Sequence, residues 1–181
     1  MKCAFSLSFN FAFVFLLFRC SLNLNNLHHY CYEAANSDPN LSNDFCVASL
    51  EANPKSNNAS LEELVEISTK LAISNVTNIS YYISQLLNAK SIDKYTAGAL
   101  QDCLELYSDA NSTLHDFILD LKSKAYFKAN VDVSTAMDSS STCENGFKER
   151  TGAVFPSTKE NDTFFPLTAI IIAFINMLSR S

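Results

Sequence analysis

Ala99-Leu100-Gln101-Asp102-Cys103-Leu104-Glu105-Leu106-Tyr107-Ser108-Asp109-Ala110 places apolar side chains at steps of three and four residues. This spacing puts them on one face of an α-helix, and the same period continues as far as Leu121. Ser91 and Asp93 can cap the start of this helix. The predicted buried stripe contains Leu100, Cys103, Leu104, Tyr107, Leu114, Phe117, Ile118 and Leu121. The stretch therefore predicts a long amphipathic helix with a cysteine on its buried face.

Similar helices are predicted on both sides. Before it, Ser60 and Glu63 form a capping box, and the helix that follows should end near Lys90. Its stripe contains Leu64, Ile67, Leu71, Val76, Ile79, Tyr82, Ile83, Leu86 and Leu87. After it, a third helix is predicted from about Ala125 to Lys148, with a polar run at residues 139–142. Its apolar positions are Phe127, Val131, Val133, Met137, Cys143 and Phe147.

The two ends of the chain complete a helical bundle. Tyr30–Leu50 reads as two short helices around a turn at residues 36–39, and Asn53-Pro54 ends them. Arg150–Thr163 is predicted to be the longest loop, with residues 161–163 capping the last helix. That helix carries Leu167, Ile170, Ile171, Phe174, Ile175 and Leu178 on one face. An apolar C-terminal tail can also signal the addition of a lipid anchor. The other three long helices each carry a broad apolar face, however, and a fourth helix is needed to cover these faces.

The fold class is therefore all-α, with one domain over residues 28–180. A helical hairpin at 28–52 precedes an up-down-up-down four-helix bundle at 60–180. The N-terminal run, residues 1–23, resembles a secretory signal, and cleavage is expected between residues 20 and 26. An uncleaved anchor is the alternative, but the run is shorter than the roughly 20 residues that a spanning helix needs.

Charge and cysteine content point to a secreted protein that does not bind nucleic acid. Without Lys2 and Arg19, 11 basic residues remain against 19 acidic ones, a net charge of −8. The mature chain keeps four cysteines, whose three possible pairings cannot be separated by loop length alone. Six sequons are candidate glycosylation sites, and the pair at 75 and 78 lies too close for both to be expected in use. Their asparagines are Asn40, Asn58, Asn75, Asn78, Asn111 and Asn161.

The sequence carries no catalytic signature, and nothing in it predicts a cofactor or a metal. Glu62, Glu63 and Glu66 lie in the first turns of a helix, where the dipole favours acidic residues. His28 and His29 precede Cys31 in an expected flexible terminus, and His115 stands apart from them, so the three ligands of a metal site are lacking. The remaining functions are binding another protein or carrying an apolar ligand between the helices.

Three motifs in order resemble the plant invertase and pectin methylesterase inhibitors. They are Asp44–Leu50 (DFCVASL), Ala99–Ala110 (ALQDCLELYSDA) and Thr142–Phe147 (TCENGF). That family shows F-C-x-x-S-L at the end of a hairpin, L-x-D-C-x-E-x-Y on one bundle helix and T-C-x-x-G-F on the next. The match spans the mature chain, and it looks most similar to the pollen-type invertase inhibitors.

The resemblance implies disulfides Cys31 to Cys46 and Cys103 to Cys143. It also implies one-to-one binding to acid invertase, slightly preferred, or to pectin methylesterase, without enzymatic activity. Such a protein would be secreted to the apoplast or cell wall, with the vacuole as a second possibility. No nucleic acid and no stable membrane association are expected.

The target-binding residues are predicted at the corner between the second and third long helices. Invertase-directed relatives carry Pro-Lys-Phe there, whereas this chain has Ala125-Tyr126-Phe127, so only the phenylalanine matches. Lysines surround these aromatic residues, which suits an acidic cleft, although lysines also favour a helix end for dipole reasons alone. The candidate residues are Lys122, Lys124, Tyr126, Phe127 and Lys128.

Overall fold

The structure is a computed structural model that describes residues 26–88, 92–150, 153–156 and 158–180, with backbone only at 158–160. The predicted signal, residues 1–23, and the predicted features at Lys90 and Ser91 lie outside these ranges. The helices are α1 Asn26–Ser37, α2 Asn43–Leu50, α3 Leu61–Leu87, α4 Lys94–Lys122, α5 Tyr126–Lys148 and α6 Thr158–Leu178. A single 3-10 turn, Ser56–Asn58, separates α2 from α3.

The helices begin where side chains satisfy their first amides. The hydroxyl of Ser60 accepts from the amide of Glu63, whose carboxylate accepts from the amide of Ser60, completing the predicted capping box of α3. Asp93 caps α4 by accepting from the amides of Tyr95 and Thr96. These bonds fix the starts of the two longest helices.

Helices α3 to α6 form the predicted bundle. Each packs against its two neighbours in a closed square, α3 on α4, α4 on α5, α5 on α6 and α6 on α3. The alternating directions give the up-down-up-down topology that was predicted. The hairpin of α1 and α2 packs against α6, outside the square. The largest fully buried side chains include Tyr107, Phe117, Phe147, Phe164 and Phe174, and together these helices confirm the all-α fold.

Both implied disulfides are present. Cys31 and Cys46 join α1 to α2 with sulfurs 1.99 Å apart, and Cys103 and Cys143 join α4 to α5 at 2.09 Å. All four cysteines are buried. One bond closes the hairpin, and the other cross-links two neighbouring helices of the bundle.

Several local expectations were wrong. Helix α6 begins at Thr158, so the loop predicted over 150–163 is shorter, and Asn161 lies within the helix rather than capping it. His28 and His29 belong to α1, because Leu27 and Cys31 give that segment a buried face. Phe127 and Val131, placed on the apolar stripe of α5 by their spacing, are exposed, and so is Tyr82, which was placed on the stripe of α3.

Helix α6 is apolar enough to be compared with a membrane span. The window Asn161–Leu178 has a mean hydropathy of 1.4, and 61% of it is buried inside the protein. Its predicted apolar face, from Leu167 to Leu178, is covered by the neighbouring helices. This burial is the pattern of a core helix and favours the packing interpretation over a lipid-anchor signal.

The two disulfides should differ in their contribution to stability, because they close loops of 15 and 40 residues. Replacing Cys31 and Cys46 by alanine should lower the free energy of unfolding by about 3 kcal/mol, and replacing Cys103 and Cys143 by about 4 kcal/mol, from loop entropy. Urea denaturation of the two double variants measures both values. A larger loss for the hairpin pair would contradict the loop-entropy explanation.

Candidate functional site

The predicted corner, Lys122–Lys128, is a tight connection between α4 and α5. The amide of Ala125 donates to the carbonyl of Asp120 over 3.0 Å, and the amide of Lys124 donates to that of Leu121 over 3.0 Å. These two bonds form a Schellman motif, which satisfies carbonyls left over at the end of α4. The chain then turns directly into α5, so the corner is held by main-chain hydrogen bonds rather than by a flexible loop.

Lys124 occupies the left-handed position of this motif, with φ at 58°. It is the one non-glycine residue with positive φ in the described part of the chain. Glycine or asparagine is the usual residue here because a Cβ raises the energy of this conformation. Strain of this kind is found preferentially at functional sites.

The two aromatic residues of the corner, Tyr126 and Phe127, differ in their exposure to solvent. Tyr126 is half-buried and packs against the core, whereas Phe127 is 86% exposed. A surface depression of about 430 Å³ lies between the start of α5 and the end of α6, lined by Tyr126, Phe127, Asn130, Asn176 and Ser179. The side-chain amide of Asn130 donates to the amide oxygen of Asn176 over 2.8 Å, which ties the two helices together beside this depression.

Lys128 is neutralised by two carboxylates. Its Nζ lies 2.6 Å from Oδ2 of Asp120 on α4 and 2.8 Å from Oδ2 of Asp132, one turn further along α5. These hydrogen bonds raise the pKa of Lys128 above its ordinary value, and the bond to Asp120 has the larger effect. The hydrogen bond from Lys128 in turn lowers the pKa of Asp120. Lys128 therefore links α4 to α5, a structural role that the sequence prediction of a basic corner did not include.

Lys122 and Lys124 supply the remaining positive charge of the corner. Both are exposed, and among the described residues neither forms an ion pair. The corner thus presents two cationic side chains and one exposed phenyl ring. Of the five predicted residues, Lys122, Lys124, Phe127 and Lys128 are exposed and Tyr126 is half-buried against the core, and their role in target binding stays a prediction.

The alternative catalytic and metal-binding residues do not assemble into a site. Glu63 serves the capping box, where hydrogen bonds from the backbone and hydroxyl of Ser60 lower its pKa. Glu66 pairs with Lys70 at 3.7 Å. The described residues contain no group of three potential metal ligands. His28, His29 and His115 are all exposed.

The six sequons differ in exposure. Asn40, Asn58 and Asn78 are exposed, and Asn75 and Asn111 are half-buried. Asn161 is only 1% exposed, and its Nδ2 donates to the carbonyl of Ser140 and to Oε1 of Glu144. Because Nδ2 is the atom that would carry a glycan, the folded bundle leaves no room for one at Asn161. Glycosylation of the other five stays a prediction.

The opposite end of the α4–α5 pair is held by a cluster that the sequence did not suggest. The guanidinium of Arg150 donates to Asp93 over 2.8 Å and lies 5.0 Å from the ring centre of Tyr95. The hydroxyl of Tyr95 donates to the carbonyl of Gly146 over 2.8 Å. Hydrogen bonds from Thr96 and then Arg150 lower the pKa of Asp93 to about 2, so the cluster stays charged at any physiological pH.

Comparison with known proteins identifies the family of the chain. Residues 25–174 match the sequence profile described as "Plant invertase/pectin methylesterase inhibitor". The chain belongs to that family. A crystal structure of a mutant pectin methylesterase inhibitor from Arabidopsis superposes with a TM-score of 0.69 at 22% identity, over 84% of this chain and 97% of the other. At that identity the superposition supports the fold alone.

Named relatives of this inhibitor-family chain include proteins assigned to both targets. A "Putative invertase inhibitor" of Platanus acerifolia is 43% identical over 98% of this chain and 99% of its own length. "Pectinesterase inhibitor 12" of Arabidopsis thaliana is 40% identical over 82% of this chain and 84% of its own. These family members are named as inhibitors and not as enzymes, in agreement with the prediction that the chain has no catalytic activity.

The strained backbone of Lys124 can be tested with the same substitution, lysine to glycine, at two positions where it should change the free energy of unfolding in opposite directions. Lys124→Gly should raise the free energy of unfolding by about 0.5–1 kcal/mol, because relief of the left-handed strain exceeds the added entropy of the unfolded chain. Lys122→Gly, in the last turn of α4, should lower it by about 1 kcal/mol. Thermal and urea denaturation measure both. A destabilised Lys124→Gly variant would show that the lysine side chain contributes more than its backbone costs.

Proposed function

We propose that this protein inhibits a secreted plant carbohydrate-active enzyme by one-to-one binding, with acid invertase slightly preferred over pectin methylesterase. The main support is the exposed Phe127 on a rigid corner in a chain that belongs to an inhibitor family. The protein contributes no chemistry of its own. It acts by occupying the cleft of the target enzyme.

The corner has the physical properties of a binding anchor. Aromatic side chains that insert into a partner account for a large share of interface energy. The hydrogen bonds of the corner and the bridge from Lys128 to α4 hold the backbone near Phe127 in place, which reduces the entropy lost on binding. Lys122 and Lys124 add two positive charges that would be attracted by the carboxylates of a glycosidase or esterase cleft.

The alternative function, carrying a small apolar ligand, is not favoured by the packing. The interior contains closely spaced side chains from all six helices. A depression of about 590 Å³ between α4 and α5 lies on the surface and has a mixed lining that includes Lys94, Asp102 and Glu149. Ligand carriers instead enclose their ligands in a mostly apolar cavity.

We place the mature protein outside the cell, in the apoplast or cell wall, with the vacuole as the other compartment. The support is the predicted signal at residues 1–23, the two buried disulfides and the exposed sequons. The slight preference for invertase rests on the relative from Platanus acerifolia and on Phe127, which matches the phenylalanine of the Pro-Lys-Phe found at this corner in invertase-directed relatives. The Arabidopsis relative named for pectinesterase keeps the second target open.

Titration of the purified protein against one acid invertase and one pectin methylesterase tests the function. We expect saturable inhibition of one enzyme at a stoichiometry of one to one, with invertase the first choice. Size-exclusion chromatography with light scattering gives the mass of the complex. Failure to bind either enzyme would refute the proposed function.

Phe127→Ala tests the corner as the binding site. The variant should weaken inhibition about 30-fold, equivalent to roughly 2 kcal/mol, because the ring would lose its contacts in the cleft. Its melting temperature should change little, because the ring contributes almost nothing to the core. Inhibition constants and thermal melting curves measure the two effects separately.

Val154→Ala is the matched control, since Val154 is an exposed apolar residue beyond the other end of α5. It should leave inhibition unchanged. If Phe127→Ala also leaves inhibition unchanged, the corner is not the contact surface. The binding surface would then lie on the helix faces, which would favour pectin methylesterase as the target.

A further inference from the structure

Two tyrosines lie side by side on the surface of α3 without an evident partner. Tyr81 is 67% exposed and Tyr82 is 39% exposed. Neither is among the side chains that pack against the core, and within the described ranges neither hydroxyl makes a hydrogen bond. Exposed aromatic rings on neighbouring parts of a surface are typical of places that another group covers.

Asn78 of the sequon Asn78-Ile79-Ser80 lies one helical turn before this pair. Residues three and four apart are neighbours on a helix surface, with Cβ atoms about 5–6 Å apart. Side chains on a helix also lean toward its N-terminus, so the rings of Tyr81 and Tyr82 extend over the turn that holds Asn78. Of the three exposed sequon asparagines, Asn78 alone has aromatic residues at these two positions.

We propose that Asn78 is N-glycosylated and that Tyr81 and Tyr82 form a platform on which the first N-acetylglucosamine packs. The face of an aromatic ring is electronegative, and it attracts the weakly positive C–H groups on the apolar face of a sugar. Packing removes part of both surfaces from water and thereby stabilises α3.

The two closely spaced sequons of α3 differ in their surroundings in the folded protein. Asn75 is half-buried, and its Oδ1 is fully buried with no hydrogen-bond partner in the described structure. Nδ2 is the atom that carries a glycan, and at Asn75 it belongs to this partly buried amide, whereas Asn78 is exposed. The two tyrosines follow Asn78, and not Asn75, by three and four residues, so the proposal places the contact between sugar and rings at Asn78.

The test uses the full-length gene expressed in a plant secretory host and, for comparison, protein refolded from bacteria without glycans. Glycopeptide mass spectrometry should find Asn78 occupied. In the glycosylated protein, replacing both Tyr81 and Tyr82 by alanine should lower the melting temperature by about 2–4 °C more than in the bacterial protein. Asn78→Gln should abolish this extra loss, and Asn75→Gln should preserve it.

Tyr32→Ala is the control, because Tyr32 is a comparably exposed tyrosine on α1 with no sequon one turn before it. Its effect on the melting temperature should be the same with and without glycans. Nuclear Overhauser contacts between the tyrosine rings and the sugar should appear in the glycosylated wild type. An unoccupied Asn78, or an equal loss for the tyrosine variant in both preparations, would overturn the proposal.

Discussion

The burial of one face of α6 is the interaction on which the rest of the structure depends. Phe164, Ile170, Ile171, Phe174 and Ile175 all lie in the interior, where they cover apolar stripes that α3 and α5 could not otherwise bury. At roughly 1.5–3 kcal/mol for each large apolar side chain, these five residues together contribute on the order of 10 kcal/mol. The disulfides and caps refine an arrangement that this burial creates. Without α6, the corner between α4 and α5 would also lose the neighbour that shapes its depression.

The bundle could be predicted because the signals of an α-helix, its apolar spacing and its capping residues, lie close together in the sequence. The repeat from Leu100 to Leu121 and the capping box at Ser60 are local patterns, and both appear in the structure as expected. The start of α6 was missed because Asn161 resembles a capping residue, while its actual role depends on Glu144, 17 residues earlier. Such a contact between distant residues leaves no local signal.

The candidate site shows the same division. The exposure of Lys122 and Lys124 followed from their place at a helix end, whereas the spacing of Phe127 also fitted the apolar stripe of α5, so its exposure did not follow from the sequence alone. The bridge from Lys128 was only half visible, since Asp132 lies at the helical spacing of four but Asp120 belongs to another helix. The left-handed backbone conformation at Lys124 could not be predicted, because glycine or asparagine usually occupies this position at the end of a helix. What sequence reasoning took as a basic patch is therefore partly a structural brace.

At the buried sequon of Asn161, glycosylation and folding are incompatible. Glycans are added to chains as they enter the secretory pathway, before the C-terminal helix can dock. A chain modified at this asparagine would carry a bulky hydrophilic group on the nitrogen that has to reach Glu144 and the carbonyl of Ser140 inside the bundle. Such a molecule could not close its core. In a host that N-glycosylates the chain, the yield of correctly folded protein therefore depends on how often the oligosaccharide transfer machinery passes over this one acceptor.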